Sequence, residues 1–201
     1  ARKYLLADSF KVNFTGAVTW AFEFEDQPWF YGFRDLATNG VDKPVLNIFR
    51  MFGMMSGRRV QSGSNRQYPL AMIVDSSVRR QNDVGVMTTK EKRTVAVMIW
   101  NYHDDDVLKP EEEITVDISS IPAKRITLTE YRIDDTHSNS YEVWKKMGSP
   151  QNPTTAQIAV LEKAGQLQTM AAPAILKVNG GMLHIKITLP QQGVSLLKLN
   201  W

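Results

Sequence analysis

The chain has 201 residues, 43% of them hydrophobic, and a net charge of +3, which is enough for one large or two small domains with sizeable cores. No apolar run approaches the roughly 20 residues of a membrane span, and Lys and Arg are scattered among Asp and Glu rather than gathered in a stripe, so neither a membrane nor a nucleic-acid partner is expected. With no cysteine there is no disulfide, no thiol nucleophile and no thiolate metal site.

In chain order, residues 1 to 13 read as a helix, with Tyr4, Leu5, Leu6, Ala7 and Phe10 as apolar neighbours at helical spacing. There is no initiator Met, and ARKYLLADSFKV opens as though within a helix, so any signal peptide is expected upstream. Asn13-Phe14-Thr15 fits a glycosylation acceptor, a short motif of low specificity. Thr15-Gly16 turns the chain into GAVTWAFEFEDQPWFY, where Val18, Trp20, Phe22 and Phe24 alternate with Thr19, Ala21, Glu23 and Glu25, the period of a strand. Pro28 ends the ladder, so Glu25 and Asp26 fall at the strand's carboxyl end. A long aromatic loop follows, punctuated by Gly32 and by the turn signal Asn39-Gly40. Pro44 at a helix start, apolar Val45, Ile48, Phe49, Phe52 and Met55, and Gly57 beyond the end predict a helix over about 43–56. Helix, strand, loop and helix form one unit of an α/β architecture, whose ligands bind at the carboxyl ends of strands. One such unit cannot bury its strand on both faces, so it belongs to a larger sheet or barrel.

At Gly57 the composition changes, and the polar, turn-rich RRVQSGSNRQY at 58–68 marks a domain boundary. Beyond it, strands are predicted at 70–74, 84–89, 94–102, 114–119, 125–133, 183–189 and 194–199, with helices near 140–148 and 154–165. Seven strands with short connections read as an antiparallel β-sandwich.

The chemistry is concentrated near the front. Carboxylates beside exposed indoles at a strand end suit carbohydrate, because acids accept hydrogen bonds from sugar hydroxyls and aromatic faces cover the apolar face of a pyranose. The plainer alternative is a buried aromatic strand with a solvated acidic turn. Glu23 and Glu25, about 7 Å apart along one strand face, aim in parallel and do not make a hydrolytic pair. His103 and His184 stand without a second ligand at metal spacing, and no metal or other cofactor is expected. No Gly-x-Ser-x-Gly elbow supports Ser-His-Asp chemistry.

WAFEFEDQPWFYGFRDLATNGVDKPVLNIFRMFGMMSG and YRIDDTHSNSYEVWKKMGSP resemble the C-terminal portion of glycoside hydrolase family 39, the β-xylosidase family, and with the sandwich the resemblance spans essentially the whole chain. It implies a (β/α)8 TIM barrel with an appended β-sandwich, residues 1–57 being the last helix-strand-helix portion of the barrel and 58–201 the sandwich. It implies retaining hydrolysis of terminal β-linked xylose from xylo-oligosaccharides, with the catalytic glutamate pair upstream and this chain alone inactive. Trp20 matches the family's sugar-contacting tryptophan, and Glu23, Glu25 or Asp26 fall where its sugar-contacting acids lie; Trp29 joins them as a candidate. His137 is a secondary candidate: the sandwich reaching over the barrel mouth would bring it to substrate, whereas the alternative has it tying a helix start to a strand. The implied partners are a glycoside and the N-terminal remainder of the enzyme, and an oligomer is compatible with the sequence. The other reading, from a different class, is a non-catalytic carbohydrate-binding or interaction module in which the sandwich does the work.

Overall fold

A computed structural model describes residues 1–17, 27–32, 35–105 and 111–201. The predicted strand at 18–26 lies outside the described residues. On either side of it are helix α1 (Arg2–Ser9), a short hairpin of β1 (Ala37–Thr38) and β2 (Val41–Asp42), and helix α2 (Pro44–Gly53). The hairpin forms at the predicted Asn39-Gly40 turn, where both residues take positive φ, as a two-residue hairpin turn requires. Helix α2 begins with Lys43 extended at the N-cap and Pro44 in the first turn, where its missing N–H costs nothing.

The remainder contains β3 (Arg58–Val60), α3 (Leu70–Ser76), β4 (Asp83–Glu91), β5 (Thr94–Tyr102), β6 (Glu112–Ile118), β7 (Arg125–Ile133), α4 (Ser140–Lys146), α5 (Thr155–Gly165), β8 (Gln168–Thr169), β9 (Ala174–Lys177), β10 (Leu183–Leu189) and β11 (Val194–Asn200). They form an antiparallel sandwich of a seven-stranded sheet, in the order β3-β4-β5-β11-β7-β8 with β9 also on β7, against a two-stranded sheet of β10 and β6. One prediction is overturned: LAMIV at 70–74 is the helix α3, not a strand. Five apolar residues are too few for periodicity to decide, Leu70, Ala71 and Met72 are good helix formers, and the Ser76 hydroxyl donates back to the Met72 carbonyl at 3.0 Å. Strand β3 forms within the segment read as a polar boundary, and β8 and β9 were not foreseen. All three are four residues or fewer.

The two faces of the large sheet do different jobs. Its inner face packs Val97, Ile126, Leu197 and Leu199 against Leu183, Ile185, Ile187 and Leu189 of β10. Its outer face, Ala96, Met98, Ile133 and Leu196, is covered by Met51 with Ile48 and Phe52 of α2. Gly57 makes the turn from α2 into β3 at φ +83, and a Cβ there would lie 2.3 Å from the Lys90 carbonyl oxygen, so this close approach needs glycine. Helix α1 adds a polar clasp. Arg2 donates to the buried Asp83 carboxylate, which also accepts from the Tyr68 N–H at 2.8 Å and the Trp100 indole at 2.9 Å. Among the described residues no helix is long and apolar enough to cross a membrane.

Candidate functional site

Of the sequence-predicted site residues, Trp20, Glu23, Glu25 and Asp26 lie outside the described residues, while Trp29 and His137 are described. The loop bearing Trp29 is fixed at several points. The Trp29 N–H donates to Gln151 Oε1 at 2.9 Å and the Phe30 N–H to Thr38 Oγ1 at 2.9 Å. The buried Lys43 ammonium donates to the carbonyls of Tyr31 at 3.1 Å and Gly32 at 2.9 Å, with the Asp35 carboxylate 3.9 Å away. Phe30 takes φ 57 and Gly32 φ 77, the Tyr31 N–H closes a turn onto the Pro28 carbonyl at 3.0 Å, and Lys43 satisfies the next two carbonyls of the loop after Phe30.

The apolar side of the loop is met by helix α4. The Phe30 ring lies 4.9 Å from Trp144 and 5.5 Å from Tyr141, the Tyr141 and Trp144 rings stack at 5.8 Å, and Trp29 lies 6.5 Å from Phe30. Aromatic pairs in such tilted and stacked arrangements contribute about 0.5–1.5 kcal/mol each beyond area burial. Val41, Trp144 and Leu161 complete this small core between the hairpin, α4 and α5. The helices are joined to the front of the chain by polar contacts as well. The Ser140 hydroxyl donates to the Asp42 carbonyl at 2.5 Å, and Asn47 Nδ2 donates to the carbonyls of Ser138 at 3.2 Å and Gly165 at 2.8 Å.

His137 sits in the turn between β7 and α4. Its Nδ1 lies 2.9 Å from Asp134 Oδ1, an oxygen that also accepts from the Thr136 N–H at 2.8 Å, the Thr136 hydroxyl at 2.9 Å and the His137 N–H at 2.9 Å. Burial alone would push the Asp134 carboxyl up, but the hydrogen bonds from Thr136 and His137 outweigh it and hold the carboxyl below its usual range. Asn139 then caps α4, its side chain accepting from the Glu142 N–H at 3.2 Å. In this setting the His137 ring serves the turn, and its side chain keeps 29% of its surface exposed.

The other two histidines have local roles. His103 is buried, with Nε2 3.1 Å from the Arg79 carbonyl oxygen, and the exposed His184 places Nδ1 2.6 Å from Asp117 Oδ1 across β10 and β6. Sequence reasoning did not single out Lys43, Tyr141, Trp144 or Gln151. No local signal marks them, since Gln151 reaches Trp29 across 122 positions.

The comparisons with known proteins point to the glycosidases. The chain belongs to glycosyl hydrolase family 39, whose pattern matches residues 7–181. It is 19% identical over 172 residues to a β-xylosidase of Geobacillus stearothermophilus, covering 84% of this chain and 29% of that protein. It is 26% identical over 141 residues to a β-xylosidase of Caldicellulosiruptor saccharolyticus, covering 70% of this chain and 26% of that protein. Among solved structures, the GH39 enzyme of Xanthomonas axonopodis pv. citri matches with a TM-score of 0.65 at 15% identity, over 83% of this chain and 32% of that one. At that identity the likeness carries the fold, and it accords with the C-terminal β-sandwich. The chain spans less than a third of each of these three relatives.

Proposed function

We propose that this chain is the C-terminal part of a retaining β-xylosidase-like glycosidase, in which residues 1–57 close a (β/α)8 barrel and residues 58–201 form its accessory sandwich. The observation that carries the reading is the family 39 pattern running from residue 7 through the front segment and across the sandwich to residue 181. A free-standing sandwich module would not be expected to carry the family 39 pattern ahead of the sandwich, from residue 7, so the binding-module alternative is not favoured. Helix α2 supports a barrel neighbour. Asn47 and Met51, one turn apart, are buried on the sandwich side, while Val45 and Phe49, two positions round the helix, remain 37% and 45% exposed. A helix apolar on both sides is one meant to be covered on both sides.

In this reading Trp20 and Trp29 supply aromatic faces to the sugar, and Glu23, Glu25 or Asp26 accept its hydroxyl hydrogens. The anchored loop at 27–32 follows directly on those acids, so its restraint by Lys43 and α4 limits where the strand end can stand. A retaining reaction needs two carboxyls about 5–5.5 Å apart, one as nucleophile and one as acid/base. Both are expected from the polypeptide upstream.

The test is to assay the complete polypeptide on aryl β-xyloside, arabinoside and uronide substrates, following product configuration by NMR. Release of β-xylose first, with Trp20→Ala lowering kcat/KM at least tenfold and this 201-residue chain alone giving no turnover, is the expected result. Turnover by the chain alone that disappears in Glu23→Gln, or an inverted product, would remove the reading.

A further inference from the structure

The loop at 27–32 is held from two directions. The N–H groups of Phe30 and Tyr31 bond within the front of the chain, to Thr38 Oγ1 at 2.9 Å and to the Pro28 carbonyl at 3.0 Å, and Lys43 takes the carbonyls of Tyr31 and Gly32. The Trp29 N–H instead donates at 2.9 Å to Oε1 of Gln151, in the connection between α4 and α5. That connection is shaped to present the side chain. After α4 the chain reverses through Gly148 at φ 84 and Ser149 at φ 56, the left-handed region that a non-glycine residue adopts only when its surroundings impose it. The Trp144 indole N–H then donates to the Pro150 carbonyl at 2.9 Å, and Pro150 and Pro153 stiffen the backbone on either side of Gln151. The same Trp144 ring lies 4.9 Å from Phe30. Trp144 thus touches the loop with its ring and steers Gln151 toward it with its N–H. On the facing side Phe30 carries a positive φ of its own, at 57. Backbone strain held on both sides of one contact points to placement rather than adhesion as what the contact provides.

We propose that Gln151 is a positioning residue for the substrate pocket: from the α4–α5 connection it fixes the backbone at Trp29 and so sets how tightly the pocket holds its sugar. The inference rests on the reading of Trp29 and the acids just before it as sugar-contacting. A backbone N–H can only donate, so the Gln151 carboxamide turns its oxygen to Trp29. A carboxylate at 151 would accept the same bond, and an aliphatic side chain would not. The two carboxyls of the hydrolytic reaction are expected upstream and are untouched by residue 151. An aromatic face covers the sugar in the ground state and the transition state alike, so a misplaced Trp29 loses uniform binding. Its kinetic mark is a raised KM with kcat retained.

The experiment compares Gln151→Leu and Gln151→Glu with the wild type in the complete polypeptide. Gln151→Leu should raise KM for para-nitrophenyl β-xyloside about three- to tenfold, the worth of one hydrogen bond, with kcat within about twofold. It should also speed amide hydrogen exchange at Trp29, followed by mass spectrometry of peptides spanning 27–32. Gln151→Glu should restore both. An unchanged KM, a fall in kcat at constant KM, a Glu variant that behaves as the Leu variant, or exchange at Trp29 indifferent to residue 151 would each overturn the proposal. The exchange readout needs no turnover. A wild-type polypeptide that cleaves no xyloside removes the xylosidase reading, and exchange at Trp29 still decides the anchor; a cleaving enzyme whose KM and exchange ignore Gln151 removes the anchor alone.

Discussion

Lys43 illustrates how much one side chain settles. The residue is only 7% exposed, and its ammonium donates to two backbone carbonyls of the loop that follows the candidate acids. Hydrogen bonds to a charged group contribute about 1.5–3 kcal/mol each, and the acceptors left behind carry their own desolvation cost. Lys43→Met keeps the aliphatic stem and removes the donors. In the complete enzyme it should lower kcat/KM by about tenfold or more with the far-UV spectrum retained, and steady-state kinetics would show it; unchanged kinetics would mean that the loop does not govern the site. Asp134 makes a prediction about pH. Its folded carboxyl lies below the ordinary 3.8, so the stability it contributes is fully present above the unfolded value of about 3.9 and drains away as the pH falls through the folded value. Unfolding by urea from pH 6 down to pH 2 should show an acid limb that Asp134→Asn flattens. An unaltered limb would assign the acid sensitivity to other carboxylates.

At the scale of elements, α2 is where packing carries the most weight. Met51 is fully buried against the outer face of the large sheet, and Met51→Ala should cost about 2–5 kcal/mol, read as a lower urea midpoint with an unchanged slope. A loss under about 1 kcal/mol would mean that the helix adjusts to fill the space. The elements also show what could be read in advance. Strands β7 and β10 were legible to the residue, since Ile126 and Leu128, and Leu183 through Leu189, alternate cleanly with polar neighbours. Helix α5 was legible as a helix near 154–165 starting at Thr154 or Thr155, and the structure settles its cap at Thr154, which forms a capping box with Gln157. Helix α3 was not, because five apolar residues fit either period. The two-residue β8 is held by its pairing with Tyr131 and Arg132 rather than by any propensity of its own. Of the candidate site, the sequence disclosed the aromatic and acidic inventory. The contact of Phe30 with Tyr141 and Trp144 depends on bringing residues more than a hundred positions apart together, and neither spacing nor composition encodes that.

For the whole molecule, the front of the chain and the sandwich share cores rather than lying side by side. Removing residues 1–57 would bare Ala96, Met98, Ile133 and Leu196, a contiguous apolar face on the large sheet. Residues 58–201 alone should therefore bind a hydrophobic dye and scatter light at concentrations where the 201-residue chain does neither. A monomeric, dye-silent fragment would make the sandwich an autonomous module and revive its reading as one.

The clasp of α4 and α5 on the hairpin and α2 also bears on synthesis. Asn47 finds its acceptors at Ser138 and Gly165, so a ribosome adding about 5–20 residues per second leaves the nascent hairpin waiting on the order of ten seconds for its second half. During that interval Phe30 lacks Tyr141 and Trp144 and Val41 lacks Trp144 and Leu161, and this is when a holdase chaperone would have the most to protect.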